Sequence, residues 1–200
     1  MKAVYFLGGR HIEIRDVPDP TPGPGEVVLE IKASGMCGSD LKFYRIVGGA
    51  AALGLPGAGD PVIGGHEPCS VVVEVGRGVS DKQARVGMRV MNHHYHGCGS
   101  CRHCTTGWSQ MCDDGALVYA RLTAVRHLRP GLRQLNAQEL TLHGSWTFSK
   151  TGQADCARFV TDRRVDVGAL FTRSWPLSEA VAAYELFDTQ TTGKGVLIPE

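Results

Sequence analysis

The 200-residue sequence has neither a long apolar run nor a strong excess of charge of one sign. No uninterrupted apolar stretch approaches the roughly 20 residues with which a helix crosses a bilayer. The formal net charge of +1 offers no electrostatic reason to bind nucleic acid or an anionic membrane surface. From composition we therefore expect neither nucleic acid nor a membrane as a partner.

A secretory signal is also missing from the start of the sequence. One early lysine is followed by a short apolar stretch that ends at Gly8, Gly9 and Arg10, which is not the pattern of a signal peptide. Seven cysteines without such a signal favour free thiols and metal ligands in a reducing compartment, so we expect a cytoplasmic protein. The 26 glycines and 10 prolines predict a β-rich fold with many turns.

The most informative segment is Cys98–Cys112, which carries four cysteines at the spacing C-x2-C-x2-C-x7-C: Cys98, Cys101, Cys104 and Cys112. Short C-x2-C turns aim successive sulfurs at one point, and a closed four-thiolate cage is typical of structural zinc. A pair of disulfides is disfavoured because C-x2-C spacing strains the ring and no secretory signal is present. An iron–sulfur cluster uses the same ligands, so the spacing alone leaves it as a rival.

Two other segments carry polar side chains beside glycines, where a backbone can approach a ligand closely. Cys37 lies between two glycines at the end of a predicted strand, and His66 and Glu67 follow another glycine pair. Taken singly, a small core cysteine and a hydrogen-bonded histidine are the commoner explanations. Adjacent residues of a regular strand point to opposite faces, so His66 and Glu67 reach one metal only if the chain turns there or Glu67 acts from outside the ligand shell.

Hydrophobic alternation and turn residues predict the secondary structure. Strands are predicted over Lys2–Leu7, His11–Val17, residues 27–33, Ser70–Glu74, Val86–Asn92 and Gly195–Pro199. Helices are predicted over Thr151–Asp162 and from an N-cap at Ser178 to Asp188. In the second helix, one face is predicted to enter the core: Leu177, Val181, Tyr184 and Phe187.

Three motifs together are far more specific than each alone. In this order, Cys37-Gly38-Ser39-Asp40, Gly65-His66-Glu67 and the four-cysteine loop resemble the zinc-containing medium-chain dehydrogenases, which include alcohol, sorbitol and threonine dehydrogenases. The resemblance covers about residues 1–119 and resumes near residue 140. It implies a mainly β chain with a few helices, namely a GroES-like β-barrel catalytic domain with a structural-zinc lobe.

The resemblance also implies roles for individual residues. Cys37 and His66 would bind a catalytic zinc, with Glu67 as a ligand or close neighbour, and the four cysteines would hold a structural zinc. Ser39 would hydrogen-bond the substrate oxygen and relay its proton. The implied reaction oxidises an alcohol or polyol, with zinc as Lewis acid and hydride passing to NAD(P). Lys42 stands where many members have a histidine in the proton relay, so the relay beyond Ser39 is expected to differ.

The family's Rossmann domain has no counterpart in this sequence. No G-x-G-x-x-G motif and no βαβ series occur, and only about 20 residues lie where such a domain of roughly 100–150 residues is expected. We expect residues 1–119 to be the first part of the catalytic domain, residues 120–140 a basic junction, and residues 141–200 a return to the catalytic domain. NAD(P) therefore has no evident site, and the usual dimer surface is expected to be missing.

Two classes of function follow from this organisation. By resemblance, the chain is the zinc-binding catalytic domain of an alcohol or polyol dehydrogenase, expected to be inactive alone because nothing holds the nicotinamide. The alternative is a non-catalytic zinc-binding module or a truncated remnant, whose exposed cleft would meet a partner. In a third hypothesis, a separate nucleotide-binding chain completes the enzyme.

Overall fold

A computed structural model of the chain describes residues 1–48, 61–93, 95, 97–114 and 148–200. These residues belong to two compact units. The first consists of Met1–His94 and Asp166–Glu200, and the second of Tyr95–Val165. The predicted junction at residues 120–140 lies outside the described residues, as does the start of the segment predicted to follow it.

The predicted N-terminal hairpin is confirmed in the first unit. β1 (Lys2–Gly8) pairs antiparallel with β2 (His11–Asp16). Gly8 and Gly9 make the turn with φ of 80° and 59°, a left-handed conformation that costs glycine little because it has no Cβ. The hairpin therefore turns at the two glycines that end the apolar stretch of β1.

The predicted half-buried strand over residues 27–33 is β3 (Val27–Gly35), which ends just before Cys37. A two-residue strand, β4 (Val62–Ile63), adds to the free edge of β1. β5 (Glu67–Val75) pairs antiparallel with β3, and its first residue lies opposite Gly35. This pairing brings the end of β3 and the start of β5 together, so the two glycine-flanked segments meet.

Three more strands complete a five-stranded sheet with the order β6-β5-β3-β8-β7. They are β6 (Arg89–Met91), β7 (Phe171–Pro176) and β8 (Lys194–Ile198). β8 pairs antiparallel with β3 and parallel with β7, which confirms the predicted last strand and returns the C-terminal segment to this sheet. Within the described residues the strands form two open sheets instead of a closed barrel, while the mainly β composition is confirmed.

A short helix, α1 (Asp40–Arg45), follows β3 in the first unit. It buries Leu41, Phe43 and Tyr44, and also the carboxylate of Asp40, which is 1% exposed. A buried carboxylate needs several hydrogen-bond donors to offset its lost hydration. The start of α1 is therefore a place where polar partners must converge.

The second unit contains the four-cysteine loop and a longer helix. α2 (Arg102–Thr105) begins after Cys101, and a 3₁₀ turn spans Ser109–Met111. The predicted helix over Thr151–Asp162 is confirmed as α3 (Lys150–Asp162), where the Ser149 hydroxyl caps the first turn by accepting the Gly152 N–H at 3.0 Å. Among the described helices of the whole chain, none has the length and apolar content needed to span a membrane.

The predicted C-terminal helix exists, but its start is wrong. A 3₁₀ turn (Leu177–Glu179) precedes α4 (Ala180–Asp188), and Ser178 is not the N-cap because its hydroxyl donates to the Glu200 carboxylate at 2.8 Å. Val181 is 42% exposed, and the buried face of α4 is Ala180, Ala183, Tyr184 and Phe187. Tyr184 and Phe187 are buried as predicted, and the error concerns Val181. A 3₁₀ turn has about three residues per turn, so extending the 3.6-residue period back through Leu177 rotates the predicted face.

The core of the first unit is aromatic and is centred on Tyr184. Its ring lies 4.9 Å from that of Phe6 in an edge-to-face arrangement, 6.0 Å from that of Tyr44 and 6.5 Å from that of Phe187. Edge-to-face pairs at these distances add to the free energy gained from burying the rings. The cluster therefore packs α4 against β1 and α1.

Candidate metal centres

The four cysteines of Cys98–Cys112 converge as the spacing predicts. Their sulfur atoms all lie within 4.8 Å of one another, and none is in a disulfide. Backbone N–H groups point at the sulfurs: that of Cys98 donates to Cys112 at 3.3 Å, and that of Cys101 donates to Cys98 at 3.3 Å. Such bonds stabilise thiolates, which are the form of cysteine that binds metal.

Electrostatics within this cluster fit a cation. Backbone N–H groups of Asp113 and Cys104 lower the pKa of Cys101 to about 7. The Gly99 N–H lowers the pKa of Cys104, but burial and the neighbouring sulfurs outweigh it and raise that pKa to about 12. Four thiolates side by side repel one another unless a cation lies between them, and this donor set suits zinc.

A second cluster joins Cys37, His66 and Glu67, one ligand atom of each lying within 4.8 Å of the others. Cys37 lies in the turn between β3 and α1, and His66 immediately precedes β5. The chain turns at Gly65, which has a φ of 91°, so His66 and Glu67 do not diverge as they would along a regular strand. The turn supplies the condition under which these two adjacent residues reach one point.

Asp40 hydrogen-bonds to two residues of the second cluster, His66 and Cys37. Its Oδ1 lies 3.0 Å from Nδ1 of His66, and its Oδ2 accepts the backbone N–H of Cys37 at 2.9 Å and the Tyr184 hydroxyl at 3.2 Å. A carboxylate that holds one imidazole nitrogen fixes the ring and turns the other nitrogen towards a metal. Here the other nitrogen, Nε2, faces Ser39 and Cys37.

Ser39 lies within hydrogen-bond distance of both neighbours. Its Oγ donates to Cys37 Sγ at 3.2 Å and lies 3.2 Å from His66 Nε2. The hydrogen bond with His66 lowers the pKa of Cys37, against the effect of burial, and Ser39 lowers it further. Burial lowers the pKa of His66, but the bonds to Asp40 and Cys37 outweigh it and raise that pKa to about 10. These two shifts favour a hydrogen-bonded pair of Cys37 and His66, and a bound cation would take the place of the proton between them.

Glu67 has a second partner in the C-terminal segment. Its carboxylate forms an ion pair with the ammonium of Lys194, the first residue of β8, and about a third of each side chain is exposed. The Glu67 carboxylate lies close to Gly35, where an added Cβ would be 2.6 Å from Glu67 Oε2 and would push the flexible end of that side chain aside. Lys194 thus competes with any metal for this carboxylate, which fits a close neighbour better than a permanent ligand.

An open cavity of about 350 Å³ lies beside the second cluster in the first unit. Gly38, next to Cys37, and Lys194, the partner of Glu67, both line it, together with Met36 and Phe187. A small ligand in this cavity would thus be adjacent to residues that flank the cluster. The site therefore combines candidate metal ligands, a hydroxyl and an accessible space.

Comparison with known families shows which family the chain belongs to. The sequence profile described as "Alcohol dehydrogenase GroES-like domain" matches residues 23–139, more than half of the chain. The chain belongs to the zinc-containing medium-chain dehydrogenase family. The family resemblance and the GroES-like, mainly β fold class predicted from the motifs are therefore confirmed.

Relatives and solved structures of this family match the chain in part. The zinc-type alcohol dehydrogenase-like protein YphC of Escherichia coli (strain K12) is 36% identical over 121 residues, 60% of this chain and 34% of YphC. Sorbitol dehydrogenase of Halalkalibacterium halodurans is 34% identical over 143 residues, 65% of this chain and 39% of that enzyme. The chain spans about a third of the length of the curated relatives it matches.

Among solved structures, the chain resembles the cobalt- and zinc-bound thermostable alcohol dehydrogenase from Pyrobaculum aerophilum. The TM-score is 0.77 and the identity 17%, over 100% of this chain and 99% of that chain. At this identity the likeness shows the fold alone. The zinc-type relatives, taken with the four-cysteine cage, support zinc over an iron–sulfur cluster as the metal.

Within this family framework, three residues that surround the second cluster had no role assigned from the sequence. Asp40 stands inside a recognised motif, and that position was the available signal. Tyr184 was expected only to fill the core, because helical periodicity says nothing about where a phenol hydroxyl points. Lys194 gave no signal, since its pairing with Glu67 depends on β8 lying next to β3.

Proposed function

We propose that this chain is the zinc-binding catalytic domain of an alcohol or polyol dehydrogenase. Cys37 and His66 hold a catalytic zinc with Glu67 as a close neighbour, and the four cysteines hold a structural zinc. The observation that carries the proposal is the convergence of ligand atoms from Cys37, His66 and Glu67 within 4.8 Å. Relatives whose names specify zinc-type alcohol dehydrogenase and sorbitol dehydrogenase support an alcohol or polyol as the substrate.

In this function the chain's own residues bind, orient and move a proton. Zinc supplies the Lewis acidity that lowers the pKa of an alcohol hydroxyl. Ser39 lies close to both Cys37 and His66, so its hydroxyl accepts the substrate proton while donating its own onward. Asp40 keeps the His66 ring oriented and its Nδ1 proton engaged.

The proton relay beyond Ser39 ends at solvent. Lys42 is exposed on α1, and an ammonium group carries no lone pair with which to accept a proton. Ser39 therefore passes the proton to water and not along a chain of side chains. This differs from family members that have a histidine at the position of Lys42.

We also infer that the isolated chain transfers hydride slowly or not at all. Hydride transfer needs the nicotinamide held against the substrate carbon, and the sequence carries no G-x-G-x-x-G motif with which a βαβ unit binds a dinucleotide. We also propose the domain boundaries given above: residues 1–119 and 141–200 form the catalytic domain, and residues 120–140 form the junction where the family has its Rossmann domain. A separate nucleotide-binding chain would restore turnover, whereas a non-catalytic module would bind zinc without ever turning over.

The deciding experiment measures zinc per chain on protein purified without chelators. We expect two zincs, of which Cys37→Ser removes one and Cys98→Ser removes the other. Cys156→Ser is the matched control, because Cys156 is exposed on α3 and belongs to neither cluster. A single zinc that is insensitive to Cys37→Ser would refute the catalytic centre and favour a zinc-binding module. Steady NAD-dependent turnover that Cys37→Ala abolishes would refute the predicted inactivity.

A further inference from the structure

The hydroxyl of Tyr184 reaches into the second cluster from the C-terminal helix. It donates to Asp40 Oδ2 at 3.2 Å, across 144 positions of sequence. Both residues are 1% exposed. The same Asp40 oxygen accepts the Cys37 N–H at 2.9 Å, and the other oxygen bonds His66 Nδ1 at 3.0 Å. One buried carboxylate thus joins two candidate ligands to a residue of α4.

A buried carboxylate is sensitive to the number of donors around it. Asp40 is removed from water, so each hydrogen bond that it accepts offsets part of a large desolvation cost. The Cys37 amide and His66 approach from the ligand side, while Tyr184 approaches from the core. Without the phenol, Oδ2 keeps only the Cys37 amide among the donors described above, and the carboxylate is less firmly oriented.

Tyr184 is itself held rigidly. Its ring packs against Phe6 and Phe187 in the aromatic core, and its helix is tied down by Asp188, which bonds Arg10 at 2.8 Å and also pairs with Arg45. A donor on a packed ring in a docked helix has little freedom to follow a moving acceptor. Its direction therefore constrains Asp40, and Asp40 constrains His66.

We propose that Tyr184 is a positioning residue of the Cys37–His66 metal site, acting through Asp40. The docked C-terminal helix is then part of the metal centre, although it supplies no ligand. The inference rests on the proposed function, in which a cation binds at Cys37 and His66. The substrate of the site is the same alcohol or polyol as proposed above. Tyr184 affects how tightly the metal is bound and how the His66 ring is oriented.

Cobalt is the probe, because Co²⁺ in a site with thiolate and imidazole ligands absorbs visible light and zinc does not. The 200-residue chain carrying one equivalent of zinc is titrated with Co²⁺, and the spectrum of Cys37→Ser is subtracted to isolate the second cluster. We expect Tyr184→Phe to weaken Co²⁺ binding about tenfold, the worth of one hydrogen bond to a charged group, and to shift the visible bands. Near-UV circular dichroism and the thermal midpoint check that the variant is folded.

Tyr44→Phe is the matched control. Tyr44 is buried in the same aromatic cluster, its ring 6.0 Å from that of Tyr184, and its hydroxyl is not among the donors to Asp40 in the described part of the chain. The same chemical change there should leave both Co²⁺ affinity and spectrum as in the wild type. Equal effects of the two substitutions would mean that loss of core packing, and not positioning, explains the result.

A double-mutant cycle tests the route through Asp40. We expect Asp40→Asn alone to weaken Co²⁺ binding about 10- to 100-fold, and Tyr184→Phe to add little in that background. Additive effects would overturn the inference, as would wild-type affinity and spectrum in Tyr184→Phe. Failure of the wild-type protein to take up any Co²⁺ that depends on Cys37 would instead overturn the proposed function and this inference with it.

Discussion

The two cysteine-containing clusters differ in how far apart their ligands lie along the sequence. The four-cysteine cage lies wholly within Cys98–Cys112, and neighbouring backbone N–H groups already point at its sulfurs. The second cluster joins Cys37 to His66 and Glu67 through strand pairing, and two residues of the C-terminal segment reach it: Tyr184 bonds Asp40, and Lys194 pairs with Glu67. The geometry of the cage therefore depends on a bound metal, whereas the geometry of the second cluster depends on the folded sheet.

This difference has a thermodynamic basis. Closing a short loop costs less chain entropy than bringing distant segments together, but a short loop also buries little apolar surface of its own. We therefore expect the cage to depend mostly on its metal and the second cluster mostly on the sheet and α4. The following substitutions test that contrast.

Removing one thiolate should disrupt the cage more than any other single change. We expect Cys104→Ser to lose one zinc per chain and to expose residues 98–112 to protease, because metal binding and folding of such loops are coupled. Inductively coupled plasma mass spectrometry and limited proteolysis measure the two effects. Cys156→Ser should change neither. A protected loop in zinc-free protein would contradict the view that the metal holds it.

Two glycine substitutions compare the clusters directly. A Cβ at Gly97 would lie 2.4 Å from Cys104 Sγ and 3.2 Å from a backbone oxygen, whereas a Cβ at Gly35 would lie 2.6 Å from the end of the flexible Glu67 side chain. We expect Gly97→Ala to weaken zinc binding at the cage at least about tenfold, and Gly35→Ala to have a much smaller effect at its own cluster. Zinc affinities measured by chelator competition decide the matter, and equal losses would contradict the contrast.

Removing the competitor of Glu67 should strengthen the second cluster. We expect Lys194→Met to raise its Co²⁺ affinity about fivefold, since a partly exposed ion pair is worth up to about 1 kcal/mol. The change in visible absorbance on titration measures this. Lys42→Met serves as the control, because Lys42 is exposed and lies outside the cluster. Weaker binding in Lys194→Met would mean that the ammonium positions Glu67 and does not compete for it.

The smallest effect concerns the anchoring of α4. The hydrogen bond from Arg10 lowers the pKa of Asp188 most; burial opposes it, and the hydrogen bond from Arg45 lowers that pKa further. A carboxyl with a lowered pKa in the folded state stabilises the fold above its unfolded pKa of about 3.9, and that stability is lost as the pH falls through the folded value. We expect Asp188→Asn to lower the thermal midpoint by about 2 °C at neutral pH.

The pH series is the internal control for that substitution. The difference in thermal midpoint between the wild type and Asp188→Asn should shrink below about pH 4. At that pH the wild-type carboxyl becomes protonated and is then uncharged, like the asparagine. Differential scanning calorimetry between pH 3 and 7 follows it. A difference that stays constant with pH would mean that the asparagine perturbs the helix end sterically.

Much of the fold could be predicted from local pattern. The glycine pair at Gly8 and Gly9 indicated the hairpin of β1 and β2, and alternation over residues 27–33 identified β3. The C-terminal helix was less well predicted: its 3₁₀ start changed the periodicity, so Val181 proved exposed and Ser178 proved to bond Glu200 instead of capping the helix. Short irregular turns cannot be seen from a periodicity that assumes a regular helix.

For the candidate sites, the sequence by itself determined the cage and the family. Four cysteines in one loop need only local geometry, and the ordered motifs around Cys37 and His66 specify the family without reference to coordinates. Only the tertiary structure decided that Gly65 turns His66 and Glu67 towards one point, that Asp40 is the buried hub behind them, and that Tyr184 and Lys194 reach them from the far end of the chain. The reason is physical. A hydrogen bond between residues 144 positions apart depends on how strands and helices pack together, and local sequence patterns do not determine that packing.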